Sequence, residues 1–185
     1  MAETTTPPQN FLQKARESLR RVPEPVIRKY ESGTPNDKHV IHKILPNLFL
    51  TSAIGACDKE TMIKFGVTHV LIPALIDNKN IKIRYPESFE YKCVEIKDLC
   101  QEDISKHLPE VIRWMDEILK DESNKILVHC FQGVSRSASF VIGYLMRLEK
   151  LSYEDALVRV RAIRKVVEPN EGFAKQLTEF EKTCL

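Results

Sequence analysis

Apolar residues recur along this chain in two rhythms, and the rhythm changes from one segment to the next. Short apolar runs at 40–45, 48–50, 68–72 and 125–129, and an alternating run at 91–96, have the length and period of strands. Apolar positions three and four apart predict helices between them. Ala56, Met62, Ile63 and Phe65 mark one that Ser52 or Asp58 opens and Gly66 stops. Leu108, Val111, Ile112, Met115, Ile118 and Leu119 mark a second over 104–120, with Pro109 in its first turns, where proline is tolerated. The largely apolar stretch 137–146 predicts a buried third helix. Ser152, with Asp155 three residues on, caps a fourth through Ile163, and Pro169-Asn170 opens a fifth with Phe173, Leu177 and Phe180 on one face.

Strands alternating with helices predict an α/β domain whose central, mostly parallel sheet is covered on both faces. That domain is expected over 40–185. Residues 1–39 read as an extension, disordered at its polar Pro7-Pro8 start, then helical where Phe11, Leu12, Ala15, Leu19 and Val22 keep an amphipathic spacing. Its basic cluster, Arg16, Arg20, Arg21, Arg28 and Lys29, reads either as a solvated helix face, the commoner origin of such a run, or as a docking segment for an acidic partner such as a kinase.

Composition narrows the classes. With 185 residues and 43% apolar content there is material for one substantial core, and no segment approaches the roughly 20 apolar residues of a membrane span. The start of the chain has neither the basic nor the apolar part of a secretory signal. A net charge of +2, from 28 basic and 26 acidic residues, gives no reason to expect a nucleic-acid partner. The five cysteines are an odd number without CxxC spacing, and the histidines do not cluster with them. Free thiols in a reducing, cytoplasmic setting follow, with a nuclear pool as a secondary expectation; no metal or cofactor is expected.

Chemistry concentrates where the 125–129 strand meets the 137–146 helix. Val128-His129-Cys130-Phe131-Gln132-Gly133-Val134-Ser135-Arg136-Ser137 turns from a strand end into a helix start. A loop wound there aims backbone N–H groups inward, and the helix adds its positive end, which together suit a phosphate dianion. The thiolate is the reactive form of cysteine, and helix N-termini and cations favour it. Arg136 supplies the cation, in a planar fork that grips two phosphate oxygens. Ser137 can donate a hydroxyl to the sulfur, and Gly133 permits close backbone approach.

Cys130, five residues, then Arg136-Ser137 resembles the signature loop of the protein tyrosine phosphatase superfamily. Ser135-Arg136-Ser137 and Tyr144-Leu145-Met146 make the dual-specificity branch the nearest match. Pro46-Asn47-Leu48-Phe49-Leu50 is similar to that family's opening strand pair, and Pro169-Asn170-Glu171-Gly172-Phe173 with Gln176-Leu177 to its last-helix motif. The resemblance implies a protein tyrosine phosphatase-like fold, with a central mixed, mostly parallel sheet of about five strands flanked by helices on both faces. It further implies hydrolysis of phosphotyrosine and phosphoserine/phosphothreonine monoesters on proteins through a phosphocysteine. Cys130 is then the nucleophile, Arg136 and the amides of Phe131, Gln132, Gly133, Val134 and Ser135 hold the phosphate, Ser137 steadies the thiolate, and His129 orders the loop.

The leaving oxygen needs a proton, so a carboxylic acid must face the cysteine. Asp98 stands at the end of the 91–96 strand, and parallel neighbouring strands would bring that end beside the end of 125–129. Asp103 and Glu102 compete, but both read as helix-start charges. Relatives that act on inositol phospholipids tend to carry basic residues in this loop, so the absence of lysine from 131–135 implies phosphoprotein over a phosphoinositide. An RNA 5′ end or a glucan stays an alternative for a substrate panel, and the joint presence of Cys130, Asp98 and Arg136 favours catalysis over binding alone. Arg164 and Lys165 read either as exposed charges at a helix end or as a second anionic subsite. Cys93 and Cys100 flank Asp98 and read as spectators or as disulfide partners for an oxidised Cys130.

Overall fold

A computed structural model describes residues 39–77 and 79–184. The helix expected over 9–22 and the basic cluster beside it lie outside the described residues.

Five strands form one sheet: β1 (His42–Leu45), β2 (Leu48–Ser52), β3 (His69–Pro73), β4 (Glu90–Val94) and β5 (Ile126–Cys130). Their spatial order is β1-β2-β5-β3-β4, with β1 antiparallel to β2 and every other pairing parallel. The sheet is therefore mixed and mostly parallel, as expected. One expectation fails here: the strand carrying the approach to Asp98 is not beside β5, because β3 lies between them.

Alternation along the strands sorts side chains to two faces. Leu48, Leu50, Leu71, Ile126 and Val128 join the core under four helices, α2 (Leu108–Leu119), α3 (Arg136–Glu149), α4 (Tyr153–Ile163) and α5 (Glu171–Cys184). Phe49, Val70, Ile72 and Leu127 face the other way, where α1 (Lys59–Phe65) brings Met62, and Phe65 stacks on Phe49 with ring centroids 5.3 Å apart. Both faces are thus covered. The helix starts follow local chemistry: Asp58 accepts from the Thr61 amide at the head of α1, and Ser152 from the Asp155 amide at the head of α4. α2 begins at Leu108 rather than 104, because Asp103 Oδ1 bonds Ser105 Oγ at 2.6 Å and the Ser105 amide at 3.0 Å, holding 103–105 as a turn.

β5 and α3 form the axis of the molecule. All five residues of β5 are buried, and so is every residue of α3 from Ser137 to Met146. A helix buried on all sides cannot tilt without opening cavities; truncating Phe140 to alanine would cost about 3–5 kcal/mol. The loop joining them is consequently mounted between two buried elements.

Candidate active site

Residues 130–136 turn tightly around the Cys130 sulfur. Gly133 takes φ +68°, and a β-carbon there would lie 2.3 Å from the Thr51 carbonyl oxygen, so both backbone conformation and space require glycine. Its amide donates to Cys130 Sγ at 3.3 Å, and Ser137 Oγ donates to the same sulfur at 3.2 Å.

The carbonyls explain where the other amides point. Phe131 O accepts from the Ala53 amide at 3.1 Å and Val134 O from the Glu168 amide at 2.9 Å. Gln132 O and Gly133 O accept from Arg164 Nη2 at 3.0 Å and Nε at 2.8 Å. Ser135 O accepts from Ser139 at the head of α3, and Cys130 O lies 3.2 Å from His129 Nδ1. In a trans peptide the N–H opposes the C=O. With the carbonyls of 130–135 tied to these partners, the N–H groups of 131–136 point away from them, and that of Gly133 reaches the sulfur.

Arg164 is a correction and an addition. It is neither an exposed charge nor a surface subsite: its side chain is fully buried beneath the loop, also 3.0 Å from His42 Nδ1. Lys165, next to it, is exposed. His129 is buried in full, and desolvation pulls it down to about 4, against a smaller upward pull from the Cys130 carbonyl. A carbonyl can only accept, so Nδ1 carries the hydrogen of a neutral ring. That keeps His129 as a brace for the loop.

Asp98 stands across the cleft despite the intervening strand. Its Oδ1 accepts from Ser135 Oγ at 2.6 Å and from Asn170 Nδ2 at 2.9 Å, while Oδ2 lies 3.4 Å from Arg136 Nε. Ser135 thus uses its side chain on Asp98, and its Oγ also accepts from the Asn170 amide at 3.2 Å. Arg136 Nε is buried and, among the described residues, makes no hydrogen bond, its carboxylate neighbour being Asp98 Oδ2 at ion-pair distance. Asp103 is spent on its own turn, and Glu102 Oε2 accepts from the Lys97 amide at 3.3 Å.

Above the loop opens a cleft of about 310 Å³ whose walls include Leu75, Ile81, Lys97, Asp98, Phe131 and Arg136. Phe131 is 44% exposed at its rim, and Gln132 is exposed too. A smaller hollow among Lys43, Lys64 and Lys125 lies at the other end of β5, away from the sulfur. Cys93 and Cys130 are free thiols. Cys93 pairs with Ile72 of β3, placing it two strands from β5, about 10 Å at ordinary strand spacing and beyond the roughly 7 Å a disulfide spans.

Comparison with known proteins points to one family. The family described as "Dual specificity phosphatase, catalytic domain" matches residues 48–183. Dual specificity protein phosphatase 22 of Homo sapiens is 39% identical over 143 residues, 77% of this chain and 74% of that protein. Dual specificity protein phosphatase 1 of Arabidopsis thaliana is 31% identical over 173 residues, 93% of this chain and 85% of its own length. Among solved structures, the human tyrosine phosphatase-like serine/threonine/tyrosine-interacting protein superposes with a TM-score of 0.73 at 35% identity, covering 77% of this chain and 96% of that one. The chain belongs to the dual-specificity phosphatase family. It is a protein phosphatase of that class.

Proposed function

We propose that the protein hydrolyses phosphotyrosine and phosphoserine/phosphothreonine monoesters through a phosphocysteine on Cys130. The observation that carries this reading is the Cys130 sulfur, hydrogen-bonded by Gly133 and Ser137 in the loop whose Arg136 lies 3.4 Å from Asp98.

In the first step the Cys130 thiolate forms a bond to phosphorus as the ester P–O bond breaks, and Asp98 passes its proton to the departing oxygen. Oδ1 is held by two hydrogen bonds and Oδ2 only by the longer ion pair with Arg136 Nε, so the transferable proton is assigned to Oδ2. The amides of 131–136 and Arg136 hold the equatorial oxygens where charge spreads in the transition state. In the second step Asp98 takes a proton from water, water oxygen bonds to phosphorus, and the P–S bond breaks. Ser137 Oγ steadies the released thiolate.

The cleft favours a phosphoprotein. Its walls pair apolar Leu75 and Phe131 with a single lysine, Lys97, which suits a side-chain phosphate better than a ligand bearing several phosphates. A phosphorylated kinase is one such substrate. The reaction needs a reduced sulfur, and a reducing compartment, cytoplasmic or nuclear, is part of the reading.

The test is phosphate release from phosphotyrosine and phosphothreonine peptides and from a phosphoinositide. Wild-type protein should act on both peptides and give an acid-stable phosphocysteine on quenching. Cys130→Ser should abolish turnover while still binding vanadate. Normal turnover in Cys130→Ser, or wild-type action on the phosphoinositide alone, would refute the proposal.

A further inference from the structure

Between β4 and α2 the chain makes no helix or strand, yet this segment carries Asp98. The first turns of α5 supply what it lacks. Gln176 Oε1 accepts from the amides of Ile104 and Ser105 at 2.8 and 3.1 Å, and its Nε2 donates to the Glu102 carbonyl at 2.8 Å. At Gly172 a β-carbon would sit 1.9 Å from the Cys100 carbonyl oxygen, so helix and loop backbones touch and any side chain would part them. Asn170 spends Oδ1 on the Phe173 amide, capping α5, and Nδ2 on Asp98 itself.

We infer that Asn170, Gly172 and Gln176 are positioning residues for the general acid: the head of α5 clamps the loop 98–105 so that Asp98 Oδ2 faces the leaving group. The inference rests on the phosphatase mechanism above. A loop without its own hydrogen-bonded frame leaves a carboxyl free to wander, and misplacement by about 1 Å can cost as much as a hundredfold in rate. Among the described residues Asn170 bonds the 130–136 stretch only through its own backbone amide, on Ser135 Oγ, a bond that Asn170→Ser keeps, so the substitutions leave the nucleophile in place.

Gln176→Ala removes three bonds to the loop. Asn170→Ser keeps an oxygen for the Phe173 amide but is too short to reach Asp98, which separates capping from acid positioning. Each variant is assayed with phenyl phosphate, whose leaving group needs a proton, and dinitrophenyl phosphate, whose leaving group does not. The ratio of kcat/KM for the dinitrophenyl over the phenyl ester should rise about tenfold, part of the hundredfold or more that a placed acid supplies. Amide hydrogen exchange should quicken at Ile104 and Ser105 in Gln176→Ala while residues 131–136 keep their protection. An unchanged ratio in active enzyme, an equal loss on both esters, or unchanged exchange at Ile104 and Ser105 overturns the clamp alone. Wild-type protein that turns over neither ester overturns the phosphatase mechanism, and the clamp's catalytic role with it.

Discussion

The two sides of the cleft are built on opposite plans. The nucleophile side is one unbroken stretch, 130–136, between two buried elements, with its carbonyls tied down around it. The acid side is irregular, its Asp98 side chain is 37% exposed, and a partner that holds it, Asn170, lies 72 residues further along the chain. Chain continuity and burial fix the sulfur; the carboxyl is held by side chains from elsewhere in the chain, Ser135 of the loop and Asn170 at the head of α5. Local opening follows contact density, so the acid side is where this site should loosen first.

The sharpest way to break the comparison is Asp98→Asn. Asparagine keeps an oxygen for Ser135 and Asn170, so the loop stays put while the transferable proton is lost. Turnover of phenyl phosphate should fall by roughly a hundredfold or more, and dinitrophenyl phosphate by only a few-fold. Steady-state kinetics on the two esters decide it; equal losses would mean the carboxyl serves architecture and not proton transfer.

The same contrast governs what could be read from residues alone. The nucleophile side was legible because its chemistry is consecutive: an apolar strand, Cys130, Gly133, Arg136-Ser137, then an apolar helix. Asp98 was legible as a residue but not as a place. Neighbouring parallel strand ends would set it beside Cys130, yet β3 separates β4 from β5, since strand order in a parallel sheet is set by crossovers and not by sequence order. Asn170 read as a helix opener, which it is; its second bond, to Asp98, depends on tertiary folding that no local pattern encodes. Arg164 read as a helix-end charge because the pattern does not show the chain after α4 turning back, with the Glu168 amide on Val134 O, over the loop.

Electrostatics gives a second measure of the difference. On the acid side Asp103 is exposed, and the Ser105 hydroxyl lowers its carboxyl below the usual range without burial. On the nucleophile side His129 is held from 6.5 down to about 4 by desolvation. Folded protein therefore protonates this ring only near pH 4, whereas the unfolded chain does so near 6.5. Between those values the unfolded state binds more protons, so the contribution is complete above pH 6.5 and is lost as pH falls toward 4. It amounts to about 3 kcal/mol. Urea unfolding of wild type and His129→Gln at pH 7, 5.5 and 4.5 should show the wild type losing about 2 kcal/mol more over that range. Parallel declines would exclude His129 as the cause.

The smallest expected effect is the most discriminating, because it asks whether the cradle has a support as separable as the clamp on the acid. Arg164→Lys keeps a cation under the loop but replaces a planar fork with one ammonium, which cannot serve the Gln132 and Gly133 carbonyls in the same directions. One carbonyl left without its donor lets its peptide rotate and takes an amide away from the phosphate. Since the phosphate is held alike whatever leaves it, kcat/KM should fall about tenfold on the phenyl and dinitrophenyl esters equally, about 1.4 kcal/mol of transition-state binding. Vanadate inhibition should weaken in parallel. A loss confined to the phenyl ester would mean that Arg164 works through Asp98, and the two sides of the cleft would then share one support.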